Sequence, residues 1–204
     1  METNPPIRGW YNDAEVADDG GDPEICDDIA EQLVRRDPGR NINVILAGGR
    51  GDFFNETVQD VEGEGKSYRQ DYPLFPFSVL IKILFCYRTD GADLVREWID
   101  DRKARGASYK YTTSAREMKE FTDFDVDYFM GLFAIEDMEY QLEQTAEMDD
   151  PTLAEMTESA LNILNTKPNG FVAFIEEGLV DHGHHGNKVT GDVLPVSHLM
   201  FMLA

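Results

Sequence analysis

The chain has 204 residues and a formal net charge of −22, with acidic residues spread along its whole length. It is long enough to bury one core, and its surface repels nucleic acid and anionic membranes, so any phosphate ligand needs local cations to overcome that field. Two cysteines, Cys26 and Cys86, are too few for a disulfide framework; the first seven residues are short, polar and proline-rich rather than a signal peptide; and no stretch reaches the ~18 apolar residues that a membrane span requires.

In chain order, Asp22-Pro23 predicts a helix start, with Ile25, Ile29, Leu33 and Val34 on one side and Pro38-Gly39 as the stop. Residues 41–47 are a β-branched run halted by Gly48-Gly49, which predicts a buried strand. The run from Leu74 to Tyr87 is too short to cross a membrane and too apolar for a solvated loop. Residues 90–105 predict a helix with Leu94, Val95, Trp98 and Ile99 inward, ended by Gly106, and 107–112 predict a short strand. Asp150-Pro151 opens another helix with Leu153, Met156, Ala160, Ile163 and Leu164 at helical spacing. Pro168-Asn169-Gly170 stops it, and 171–175 return as a strand. Alternating helices and buried strands indicate an α/β fold, a mainly parallel sheet flanked by helices. Ligands of such sheets gather at the carboxyl ends of strands, where Glu176 falls.

Glu176 opens the most informative stretch, Glu176-Glu177-Gly178-Leu179-Val180-Asp181-His182-Gly183-His184-His185. Three of the four histidines lie here beside three carboxylates. Asp181 and His185 are four apart and share one face if the segment is helical. Imidazole and carboxylate suit zinc, and a carboxylate alone suits magnesium. The plainer reading of such a tract is a solvated, histidine-rich turn.

The wider context resembles the alkaline phosphatases. Phe171 to Lys188 is similar to their metal-binding segment, usually V-E-G-G-R-I-D-H-G-H-H. Arg8-Gly9-Trp10-Tyr11-Asn12-Asp13-Ala14 is similar to N-R-D-W-Y-S-D-A. Cys26-Asp27-Asp28-Ile29-Ala30-Glu31-Gln32-Leu33, followed by Val44-Ile45-Leu46-Ala47-Gly48-Gly49-Arg50, resembles C-x-D-I-A-x-Q-L and V-I-L-G-G-G-R. Gly131-Leu132-Phe133 and the stretch from Asp150-Pro151-Thr152 to Glu158 are further landmarks in the right order. The resemblance covers roughly residues 8–66 and 88–188.

What the resemblance implies is a partial alkaline-phosphatase-like fold and hydrolysis of small phosphate monoesters through a phosphoserine, at a site of two zinc ions and one magnesium. Asp181 and His185 match two ligands of one zinc, Glu176 the magnesium carboxylate, Arg8 the phosphate-clamping arginine, and His182 a histidine near the bound phosphate. Phe133 and Asp150 match ligands of a calcium site, with Ala134 where a glutamate is usual. Glu177 and Leu179 replace the usual glycine and arginine of the central motif. The family's cysteine at the Cys26 position forms a disulfide to an upstream partner.

No serine of this chain stands in the family's Asp-Ser-Ala context, so the resemblance implies one partial domain over 1–204, truncated at both ends. An insertion at 67–87 and a divergent tail at 189–204 interrupt the match. The resemblance further implies an extracellular or plasma-membrane surface location, homodimers, and membrane attachment only through a lipid anchor that this chain does not show. A second reading is a non-catalytic acidic metal-binding or interaction domain derived from that family.

Overall fold

A computed structural model gives the structure of residues 10–55, 88–141, 143–144, 149–185 and 199–203; at 182, 184, 185 and 199–203 the backbone alone is described. The 67–87 segment therefore lies outside the described residues. The chain forms two compact units, Met1–Asn41 with Gly51–Asp101 and Ile42–Arg50 with Arg102–Ala204.

In the first unit α1 spans Asp13–Asp18, because the Asn12 side chain caps it by accepting from the Ala14 and Glu15 amides. The expected helix start at Asp22-Pro23 is a turn instead. The Asp22 carboxylate accepts from the Glu24 amide at 3.0 Å, and its carbonyl takes the Ile25 and Cys26 amides at 3.0 and 2.8 Å. Such local bonds compete with helix formation. The helix, α2, runs Ile29–Arg35, set by a capping box in which Asp28 and Glu31 each accept the other's amide. Its inward positions are Ala30 and Val34, while Ile25 and Ile29 are 72% and 41% exposed rather than inward. A 3₁₀ turn follows at Gly39–Asn41. The next helix, α3, spans Leu94–Ala104, the division between the units falling after Asp101, and buries Leu94, Val95 and Trp98 as its spacing predicts. Gly106, at φ +65°, ends it.

The second unit holds a five-stranded sheet: β1 (Val44–Ala47), β2 (Tyr109–Thr112), β3 (Tyr128–Leu132), β4 (Val172–Glu176) and β5 (Leu199–Leu203), in the order β2-β3-β1-β5-β4. β2, β3 and β1 are parallel neighbours. β5 pairs antiparallel with both β1 and β4, so β4 points the same way as β1. Four strands thus share one direction, which is the α/β arrangement expected from the sequence. The last residues of the 189–204 tail are a strand inside that sheet. α4 (Ala115–Glu120) is capped by Ser114, and α5 (Leu153–Leu164) by Thr152 in a second capping box with Glu155. Met156, Ala160, Ile163 and Leu164 of α5 pack with Val44, Leu46 and Phe129 in one apolar core.

Gly131 shows why a landmark glycine stands in β3. A Cβ there would come within 2.5 Å of the Phe133 ring and 2.8 Å of Leu46. β4 departs from expectation. It is a strand, but all five of its residues are exposed, Val172 at 72% and Phe174 at 57%. Among the described residues it lies at the end of the sheet, with one neighbouring strand where β1 has two.

Candidate active site

The site begins at the carboxyl edge of the sheet. The register runs from Glu176 through Leu199 to Ala47 and on to Leu132, so Glu176 ends level with the last residues of β1 and β3. Three residues later α6 begins, Leu179–His185, with the Asp181 amide bonded to the Gly178 carbonyl at 3.1 Å. Leu179 is fully buried in the apolar core, and Gly183, one turn on, is buried too. That side of α6 faces the core. Asp181 is exposed on the opposite side, and position 185 follows it by one turn on that side. The strand-to-helix step therefore places Glu176, Asp181 and position 185 at one end of the sheet. The sequence-derived residues His182 and His185 belong to α6 by their backbone, and Arg8 lies outside the described residues.

The donor set of two carboxylates and an imidazole matches zinc and magnesium in chemistry. Among the described residues, no three histidine, cysteine, aspartate or glutamate side chains form a metal-holding group.

Phe133 and Asp150 lie in the loops that follow β3 and precede α5. Phe133 is buried, and its amide donates to the Ala47 carbonyl at 2.9 Å. Gly48 is required beside them, since a Cβ there would stand 2.5 Å from the Glu136 carbonyl oxygen. The Gly49 amide donates to that oxygen at 2.6 Å and the Arg50 amide to the Ala134 carbonyl at 2.9 Å. Arg50 is itself buried and donates to the Leu132 carbonyl at 2.7 Å. Burial pushes the Asp150 carboxyl up, while the Glu139 amide, 3.1 Å from Oδ2, and the Arg50 charge pull it back in part. Calcium takes six to eight oxygen ligands, and here it would share Asp150 with the Glu139 amide.

Sequence reasoning missed a buried ionic cluster in the first unit. Arg88 is fully buried and pairs with Asp28 at 2.8 Å, Asp90 at 2.7 Å and Glu31 at 3.5 Å. Burial opposes its charge, but Asp90 and Asp28 hold the guanidinium above its usual range. Asp13 accepts both the amide of Thr89 at 3.0 Å and its hydroxyl at 2.5 Å. Asn12 donates to Asp52 at 2.8 Å. Burial, aided by the Glu15 and Asp28 charges, pushes Asp52 up to about 7 against that hydrogen bond. The one signal in the sequence was the Asp28…Glu31 spacing of a capping box. Nothing local marked Arg88 as their partner.

A family model described as alkaline phosphatase matches residues 3–199. The chain belongs to the alkaline phosphatase family. It is 36% identical over 180 residues to a membrane-bound alkaline phosphatase of Bombyx mori, covering 88% of this chain and 29% of that protein. It is 38% identical over 184 residues to the tissue-nonspecific alkaline phosphatase of Gallus gallus, covering 89% and 31% respectively. An alkaline phosphatase of Gadus morhua is 35% identical over 181 residues, covering 89% and 34%. The chain thus spans about a third of the length of the curated relatives it matches. The sequence resemblance and the family agree, and so does the α/β sheet. Among the described residues, no helix is long and apolar enough to cross a membrane.

Proposed function

We propose that this chain carries part of the centre of a phosphate-monoester hydrolase. The observation that carries the reading is the placement of Glu176 at the carboxyl end of β4, directly before a helix whose positions 181 and 185 lie away from the core. In this reading Asp181 and His185 hold one zinc ion and Glu176 holds magnesium. Such ions, when bound, stabilise the charge that develops on the oxygens of a phosphoryl group in transfer. Arg8 clamps two non-bridging oxygens with its planar fork, and His182 donates a hydrogen bond to the same group. These cationic groups offset locally the repulsion that a chain of net charge −22 exerts on an anionic substrate. Small phosphate monoesters are the substrates, the working form is a homodimer, and the place of action is the cell surface or the extracellular space, reached in membrane-bound form through a lipid anchor. Calcium at the Phe133 carbonyl and Asp150 belongs to the same proposal.

The serines of this chain lie outside an Asp-Ser-Ala context, so residues 1–204 alone are expected to hydrolyse p-nitrophenyl phosphate at trace rates. Metal affinity is the direct test. Zinc competed against a chromophoric chelator should bind the wild-type chain more tightly than Asp181→Ala or His185→Ala, and magnesium should lose affinity in Glu176→Gln. Equal affinities across these variants would remove the proposed ligands.

One observation favours the second reading, a non-catalytic acidic domain. Leu179 occupies the place of the family's arginine and is wholly buried, so the start of α6 is fixed by packing rather than offered as a charge.

A further inference from the structure

We propose that Asn169 is a modification site at which the folded chain converts itself to isoaspartate, with the Gly170 backbone amide as the nucleophile. Of the nine asparagines, only Asn169 precedes a glycine. The following residue matters because a side chain there would crowd the nitrogen that must attack, and glycine has none. The structure supplies what the dipeptide alone does not. Asn169 and Gly170 are both exposed in the turn between α5 and β4. Gly170 has φ +78°, which glycine adopts without strain, and a Cβ built on it would meet nothing within 4 Å.

The turn is anchored on either side of this step but not at it. The Thr166 and Lys167 amides donate to the Ile163 and Leu164 carbonyls at 3.2 and 3.0 Å, and Lys167 Nζ donates to the Val126 carbonyl at 2.8 Å. β4 then begins at Val172, paired with Leu203. Between these anchors Pro168 has no N–H to give. Among the described residues, neither the Asn169 side chain nor the Gly170 N–H holds a hydrogen bond. No bond has to break before the Gly170 nitrogen meets Cγ. Two Asp-Gly steps, whose glycines also have positive φ, are held in place by contrast. Asp19 accepts from the Trp10 indole at 2.9 Å, and the Gly20 amide donates to the Ala17 carbonyl at 3.0 Å. Asp90 is bound by Arg88 at 2.7 Å and by the Ala92 amide at 2.8 Å.

The reaction needs only water. Hydroxide takes the Gly170 amide proton, the nitrogen forms a bond to Cγ of Asn169, the Cγ–Nδ2 bond breaks, and Nδ2 leaves as ammonia with a proton from water. The product is a cyclic succinimide. Water then adds to one ring carbonyl, the bond from that carbon to nitrogen breaks, and the nitrogen takes a proton. Opening at Cγ gives aspartate. Opening at the main-chain carbonyl gives isoaspartate, whose chain runs through the β-carbon. Nothing is oxidised or reduced. Both products add a negative charge, and isoaspartate lengthens the main chain just before β4, the strand that carries Glu176 at its far end.

The inference is independent of the metal centre and of phosphate chemistry. The whole chain is kept native at mildly alkaline pH and body temperature. It is followed by intact mass and by peptide mapping with endoproteinase Asp-N, which cuts before aspartate and not before isoaspartate. The expected result is the mass gain of an amide turned into an acid, confined to the peptide that holds Asn169. Methyl transfer from S-adenosylmethionine by isoaspartyl methyltransferase should rise in step. Asn169→Gln, whose longer side chain must close a larger ring, should show neither change. A parallel sample unfolded in urea calibrates the effect of the fold, and the native chain should convert at a rate of the same order. Retention of Asn169 in the native chain, or methyl acceptance of equal size in Asn169→Gln, would overturn the assignment.

Discussion

The first unit gathers buried charges into one ion-paired cluster, whereas the second unit's main core is apolar, its buried Arg50 and Arg102 lying outside that core. Around Arg88 the first unit encloses Asp28 and Glu31, and it keeps Asp13 and Asn12 buried nearby. The second unit packs Val44, Leu46, Phe129, Met156 and Ile163 with no ionised group among them. A buried ion pair stabilises only while both partners are present, because either one alone is an uncompensated charge in a poor solvent. An apolar core answers to volume and is indifferent to protons. The two interiors should therefore break in different ways.

The largest effects come from opening each interior. Arg88→Ala leaves Asp28 buried without its cation and should cost about 3–5 kcal/mol, read as a lower urea midpoint. Arg88→Met combined with Asp28→Asn should recover much of that loss, since asparagine keeps the cap of α2, the fully buried carboxylate is neutralised, and Glu31 keeps its pair with Arg35. In the second unit Leu46→Ala should cost about 2–5 kcal/mol through the cavity it leaves, and no charge-neutralising partner change should rescue it. Recovery of Leu46→Ala by neutralising a carboxylate, or failure of the Arg88 and Asp28 double variant to recover, would erase the distinction.

Proton linkage gives a finer test. Asp52 is raised from 3.8 to about 7 by burial first, so the folded first unit binds this proton more tightly than the unfolded chain does. Its stability is then greatest below the unfolded value and falls as pH rises from near 4 to near 7, by at most about 1.4 kcal/mol per pH unit. In the second unit Glu117 is lowered by its bond to Lys110 and Asp127 by the Ser108 amide. Those contributions are present at neutral pH and are lost as pH falls through the folded values, which is the opposite slope. Asp150, raised by burial, is the described exception. Hydrogen exchange at Ile29–Arg35 should report the first slope between pH 4 and 7, while Tyr128–Leu132 should lose the contribution of Glu117 and Asp127 only as pH falls below 4.5. Asp52→Asn should flatten the first slope while its oxygen still accepts from Asn12. A slope unchanged by Asp52→Asn would assign it elsewhere.

The smallest effect belongs to β4. Phe174→Ser removes an exposed side chain from an end strand and should change stability by no more than about 0.5 kcal/mol, with aggregation reduced. A loss as large as that of Leu46→Ala would show that β4 is buried in solution and that its exposure is not a property of the folded chain.

Much of this was legible in the residues. The 41–47 run with its glycine stop gave β1, helical spacing gave α3 and α5, and the ordered motifs gave the family and the position of Glu176 before a helix. These are properties of local pattern, where period, caps and breakers act within a few residues. Burial and partners were not legible. Val172-Ala173-Phe174-Ile175 reads as apolar as Val44-Ile45-Leu46-Ala47, yet one strand lies at the end of the sheet and the other between β3 and β5. The helix that Asp22-Pro23 seemed to open was displaced by side-chain bonds within a turn. Arg88 met Asp28 and Glu31 across about sixty residues of chain, and Asp52 acquired its raised proton affinity first from burial and then from Glu15 and Asp28, which precede it by 37 and 24 residues. Local pattern determines which segments become helix or strand; strand order, burial and the pairing of charges depend on contacts between distant segments, and the tertiary structure alone decides them.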